Sequence, residues 1–321
     1  MSGYSIWCDF IENSFLDNEF LQMLASGTIN GATSNPSIFK NAITTSAYYK
    51  ERIKQLNIKN KEELFLTLAL EDIKKAALKM SCLYAKDNNN GFISFEINPL
   101  NSNNAGLSIA EGLKIANLIN MPNLMIKVPA TNAGYEVMNT LASYGISINA
   151  TLIFSHEQAK KCNDAISEGM KKYKAKNPNG ITNKGVVSIF VSRVDSLLNH
   201  RYSVKNQIGI QNAIYSASKV DSENIRALFA STGTKSNDLS KDYYLKELEL
   251  NNTINTAPIN AINAYRPSKN IKNLNQELIT SSKEFIFSTI NEIEYDNACK
   301  KLLDDGLVQF EKAYIDILEN L

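Results

Sequence analysis

The chain has 321 residues, 44% of them hydrophobic and 21% charged, enough to bury a full core and too apolar for a disordered polymer. Its 34 Lys and Arg nearly balance 33 Asp and Glu, which speaks against nucleic acid or a membrane surface as a partner. Four scattered cysteines and two histidines argue against a zinc site, no run reaches the roughly 18 apolar residues of a membrane span, and the N-terminal stretch lacks a basic-then-apolar leader, so the expectation is a soluble cytoplasmic protein with reduced thiols.

In chain order, short strand-like runs recur at Ser5–Phe10, Asn30–Ser34, Phe92–Ile97, Leu124–Val128, Ile146–Leu152, Val186–Val191, Ala227–Ser231 and Ile254–Thr256. Between them lie segments with apolar residues at helical spacing: Lys61–Met80, Ser108–Asn120, Ala133–Ser143, His156–Tyr173 and Ile208–Lys219. The stretch from Thr44 to Tyr84 exceeds one crossover helix and predicts two or three helices outside the barrel. Two more helices, Glu277–Ile290 and Asp296–Leu318, follow the last strand. Lys174–Lys184 and Asp87–Gly91 read as a loop and a turn from their Asn, Gly and Pro content. Eight strands alternating with helices over about 260 residues point to one closed (β/α)8 TIM barrel spanning residues 1–321. An open doubly wound sheet is the alternative, but no GxGxxG follows an early strand.

Three charged residues interrupt these apolar runs near their C-terminal ends: Asp9, Glu96 and Lys127. In a parallel barrel those ends converge on the active-site face. An apolar wall lowers a lysine pKa, and a neutral amine attacks a ketone to form a Schiff base whose iminium accepts electrons during C–C cleavage. Such chemistry needs proton transfers at more than one position, which two differently placed carboxylates can supply. The pattern also admits a buried salt-bridge cluster, and spacing does not divide the roles of Asp9 and Glu96. Asn149 and Thr151 lie two apart on the fifth strand and so share a face. Asn35 sits in TSNPS, a motif that equally reads as a turn or helix cap. Ser188 and Arg193 belong to the sixth strand and its end. The loop from Ser231 to Lys235 offers backbone amides and a cation to a phosphate, or is an ordinary β–α turn. Trp7 is expected to fill the barrel, Cys8 to face the outer helices, and His156 to be a surface or packing residue.

Taken together, GATSNPSIFKNAI (31–43), SFEINP (94–99), MIKVPAT (125–131), GISINATLIFS (145–155), SIFVSRVDS (188–196) and ASTGTK (230–235) resemble the transaldolase family, in that family's order and over nearly the whole chain. With INTAP (254–258), they resemble its bacterial, medium-length branch. The resemblance implies a (β/α)8 barrel and reversible transfer of a dihydroxyacetone unit from sedoheptulose 7-phosphate or fructose 6-phosphate to glyceraldehyde 3-phosphate or erythrose 4-phosphate, in the non-oxidative pentose phosphate pathway. It implies Lys127 as the Schiff-base lysine and Asp9 as the acid/base at the donor's C4 hydroxyl. Glu96 would act through a water held with Thr151. Asn35, Asn149 and Ser188 would contact the sugar, and Arg193 its phosphate. Better-known branches carry a second phosphate-binding arginine after the seventh strand, where this chain has STGTK; Ser231 and Lys235 are the candidates to replace it. No metal or organic cofactor is implied, and the family contains both monomers and homodimers. Related Schiff-base aldolases typically have tyrosine in place of Phe190 and glutamine in place of Glu96, so both positions favour the transferase. A non-catalytic sugar-phosphate-binding barrel is the rival from another class.

Overall fold

The computed structural model describes residues 3–234, 238–268 and 270–321. Strand β1 (Ser5–Cys8) leads into helices α1 (Asn13–Asp17) and α2 (Glu19–Ala25), and β2 (Gly31–Thr33) into α3 (Pro36–Thr45), α4 (Ala47–Leu56) and α5 (Lys61–Lys86). Strand β3 (Phe92–Glu96) is followed by α6 (Ala105–Ile119), β4 (Leu124–Pro129) by α7 (Asn132–Ser143), and β5 (Ser147–Ile153) by α8 (His156–Lys176). Then come β6 (Gly185–Phe190) with α9 (Ser192–Leu198) and α10 (Ile208–Ala217), and β7 (Ile225–Ala230) with α11 (Tyr243–Glu247). After β8 (Ile254–Ala257) the chain forms α12 (Ile259–Ala264), α13 (Gln276–Thr289) and α14 (Glu292–Asn320). All eight strands are parallel and ordered β1 to β8, and β8 pairs back to β1, closing a (β/α)8 TIM barrel with added helices after β2 and β8. Among the described residues no helix is long and apolar enough to cross a membrane.

Edges differ from the sequence reading where tertiary context decides them. The first strand stops at Cys8, because after Asp9 N bonds Ala257 O the chain leaves the ladder for α1. Helix α5 continues six residues past Met80 to Lys86 and α8 three past Tyr173 to Lys176, since each still finds capping partners there. The short helices α1, α2, α11 and α12 have too little sequence to show a period.

The period-2 alternation of the strands divides the core in two. Outward residues such as Cys8, Ile93, Ile126, Ile148, Val187 and Phe229 join the layer beneath the helices. Inward residues Trp7, Phe92, Met125, Val186, Leu228 and Ile254 fill the barrel's N-terminal half. Trp7 is fully buried there, and Gly31 on the neighbouring strand makes room for it: a Cβ at residue 31 would lie 2.4 Å from the indole. At the same end Arg226 is buried and donates to the carbonyls of Gly3, Asn252 and Thr253 and to Ser5 Oγ, tying β7 to both strands of the β1–β8 seam. Burial brings its guanidinium down to about 10. All four cysteines are free, and Cys82 is the exposed one.

Candidate active site

Toward the C-terminal ends of the strands the inward positions turn polar. Register places Lys127 beside Glu96 on one side and Asn149 on the other, so side chains from β3, β4 and β5 stand in a row. Lys127 Nζ lies 3.4 Å from Glu96 Oε2 and donates to the Ser34 carbonyl at 3.2 Å. Both side chains are less than a tenth exposed, so the pair is desolvated. Burial pushes Glu96 up to about 7, against the pull of the lysine; the charge of Asp9 adds to the rise. Asp9 is also raised by burial, while Lys127 and a hydrogen bond from Thr33 hold it down.

A hydroxyl relay supports Asp9. Thr33 donates its proton to Asp9 Oδ1 at 2.7 Å, and Thr256, also 2.7 Å from Thr33 Oγ1, therefore donates to Thr33. On the opposite side Ser188 donates to Asn149 Oδ1 (2.7 Å), and Asn149 donates to Ser94 Oγ (2.9 Å). This chain fixes the orientation of the Asn149 amide. Among the described residues, Thr151 Oγ1 and, beyond its ion pair with Lys127, Glu96 Oε2 are buried without a hydrogen-bond partner, so each has capacity for solvent or substrate.

Asn35 combines the two readings of its motif. Its Oδ1 caps α3 by accepting from Ile38 N, Pro36 occupies the first helical turn, and the residue also lines the cavity above Lys127. That cavity holds about 190 Å3 and is lined by Asp9, Thr33, Lys127, Thr151, Ser188 and Arg193 among others, with Ser231 at its rim. Arg193 stands in the first turn of α9, its guanidinium 5.2 Å from the Phe190 ring centroid; burial lowers it, and Glu96 and Asp305 counteract this. Ser231 has φ of +55° and its hydroxyl lies 2.9 Å from that of Ser192. Lys235 lies outside the described residues. The structure thus brings Asp9, Asn35, Lys127, Thr151, Ser188, Arg193 and Ser231 around one cavity, with Glu96 and Asn149 directly against Lys127 in the ladder.

Three site residues escaped the sequence reading. Thr256 and Ser94 are ordinary strand residues until the barrel closes around them. Phe310 comes from α14 and lines the cavity, its ring centroid 5.7 Å from Lys127 Nζ. His156 is a packing residue, its ring centroid 4.7 Å from that of Tyr215 and 5.9 Å from that of Tyr295.

The sequence pattern of a known family, Transaldolase/Fructose-6-phosphate aldolase, matches residues 6–321. Among curated proteins, the transaldolase of Campylobacter jejuni (strain RM1221) is 48% identical over 331 residues, with 100% of each chain covered. The transaldolase of Helicobacter pylori (strain HPAG1) is 41% identical over 326 residues, again with 100% of each chain covered.

Proposed function

Since the chain belongs to the transaldolase/fructose-6-phosphate aldolase family, we propose that it is a transaldolase, moving a dihydroxyacetone unit between sugar phosphates through a Schiff base on Lys127. The observation that carries this reading is a buried amine set against a carboxyl that titrates near neutrality, Glu96 at 3.4 Å, with the second carboxyl, Asp9, sharing the cavity. Such an arrangement suits a reaction in which protons are both given and taken.

In the proposed cycle the Lys127 amine attacks the ketone carbon of fructose 6-phosphate or sedoheptulose 7-phosphate. The carbinolamine loses water as Glu96 relays protons, the unpartnered Thr151 hydroxyl supplying a second contact for that water. Asp9 takes the C4 hydroxyl proton, the C3–C4 bond breaks, and its electron pair flows to the iminium nitrogen. The aldose phosphate leaves. The three-carbon enamine then attacks the aldehyde carbon of an acceptor, Asp9 returns its proton to the new hydroxyl, and water releases the product ketose from Lys127. Asn35, Asn149 and Ser188 orient the hydroxyls, and Arg193 with the Ser231 loop meets the phosphate. We place this reaction in the non-oxidative pentose phosphate pathway of the cytoplasm.

Borohydride reduction tests the reading. With fructose 6-phosphate, intact-mass analysis is expected to find a reduced three-carbon adduct on the peptide carrying Lys127. The Lys127→Ala variant should remain folded and lose both adduct and turnover. Retained turnover in that variant would overturn the assignment.

A further inference from the structure

We propose that Phe310 is a specificity-determining residue: it keeps water away from the three-carbon enamine and so favours transfer to an acceptor over release of free dihydroxyacetone. The inference rests on the Schiff-base reading of Lys127.

The argument begins with what covers the site. Most groups around the cavity are polar, yet beside the amine stands a phenyl ring that is only 5% exposed and comes from a helix outside the barrel repeat. At 5.7 Å from the ring centroid, the nitrogen is within range of the ring's negative face, which would also favour the cationic iminium.

The ring's height is set by a second feature. Between Ala150 and Ile153 strand β5 slips register, and Leu152 takes φ of +56°, an uncommon conformation for a residue with a bulky side chain. Leu152 thereby joins the same buried cluster as Phe310 rather than the layer under the helices. Helix α14 rests on it at Gly306, where a Cβ would lie 2.9 Å from Leu152 Cδ2 and 3.5 Å from Arg193 Nη1. Gly306 and Phe310 are four residues apart and so share a helix face. A strained strand residue beside Thr151 and a glycine on α14 together hold the aromatic ring over the lysine.

The chemistry gives that ring a task. After C3–C4 cleavage the enamine carbon has two fates. It can attack the acceptor aldehyde, forming a C–C bond while the aldehyde oxygen gains the proton from Asp9. Or the same carbon can take a proton, with water as the source, and return to an iminium. In both cases water then adds to the iminium and the C–N bond breaks, freeing Lys127. The first route yields a ketose phosphate and the second yields dihydroxyacetone. Both routes end in the same hydrolysis, so their ratio is set at the enamine: an apolar ring that keeps water from the enamine carbon slows its protonation and leaves C–C bond formation open to a bound acceptor.

The test compares wild type, Phe310→Ala and Phe310→Leu with fructose 6-phosphate. Dihydroxyacetone release is measured without acceptor, and transfer with erythrose 4-phosphate. Phe310→Ala is expected to raise the ratio of release to transfer about ten-fold. Phe310→Leu, which restores an apolar cover, should recover most of the wild-type ratio. Gly306→Ala, whose methyl displaces Leu152 or α14 at the contact that seats Phe310, should move the ratio in the same direction as Phe310→Ala and serves if the latter does not fold. Release and transfer falling together, with an unchanged ratio in Phe310→Ala or Gly306→Ala, overturns the proposal. Borohydride trapping in the same samples separates the two readings. An adduct with an unchanged ratio defeats the role of Phe310 alone, whereas no adduct in wild type defeats the Schiff base on which it rests.

Discussion

Replacing Glu96 with Gln barely changes the side chain's size and removes one titration. In the folded protein this carboxyl sits at about 7 instead of the usual 4.5. Because the folded value is raised, the stability associated with Glu96 is fully present below pH 4.5 and is lost as pH rises through 7. Linkage puts the resulting penalty at about 1 kcal/mol at pH 5 and about 3 kcal/mol at pH 8. The glutamine variant lacks this effect, so its stability relative to wild type should climb by about 2 kcal/mol between those two pH values. That is a sizeable share of the 5 to 15 kcal/mol or so that holds a typical domain together. Urea denaturation of both proteins at pH 5, 6, 7 and 8 reads the difference directly. The activity profile should change in parallel: a kinetic limb near pH 7 in wild type, absent in Glu96→Gln. Parallel stability curves across that range would refute the reasoning, since Glu96 would then titrate no differently in the folded and unfolded chains.

Two further substitutions probe the scaffold. Gly31→Ala should destabilise the protein by about 3 kcal/mol, visible as a lowered melting temperature, because the new methyl collides with the fully buried Trp7 ring; Gly106→Ala, whose Cβ meets nothing nearer than 3.6 Å, should stay within about 0.5 kcal/mol of wild type, and equal effects at the two sites would show that the close approach is not what matters. Tyr49→Phe removes the hydroxyl that donates to the fully buried Asp72 and accepts from Asn13 N, leaving Asp72 only the Asn13 amide at 2.7 Å; burial has already raised Asp72 to about 6, losing this bond raises it further, and the loss of about 1–3 kcal/mol should therefore be larger at pH 8 than at pH 5, a pattern that urea midpoints at the two pH values would check.

The barrel was legible because its strands advertise themselves twice, by apolar runs and by the charged residues Asp9, Glu96 and Lys127 that break them at one end. Even the weak NGATS segment forms β2, its Gly31 being required by Trp7 rather than by any strand preference. What escaped detection depends on neighbours distant in sequence. The slip in β5 arises from pairing with β6, and nothing in GISINATLIFS marks Leu152 as the residue that turns. Phe310 is one of several buried apolar residues of an amphipathic helix, with Leu302, Tyr314 and Ile317, so its spacing alone cannot reveal that it lies beside a lysine some 180 residues earlier. The support of Asp9 by Thr33 and Thr256 likewise needs β1, β2 and β8 side by side. Residue types at strand ends carried the candidate chemistry; the polar contacts that orient those residues emerge only on closure.

The seam between β1 and β8 joins residues about 250 positions apart, and α14 follows both. During synthesis the ribosome therefore delivers Asp9 early and Lys127 midway, while Thr256 and Phe310 arrive near the end. A nascent chain carrying only the first half has Lys127 but neither the strand that closes the ring nor the helix that brings Phe310 to the cavity. Such a chain exposes apolar strand edges until β8 emerges, the stage at which chaperone capture is most useful. The cavity is thus completed late: its lining draws on Asp9 near the start of the chain and on Thr256 and Phe310 near its end.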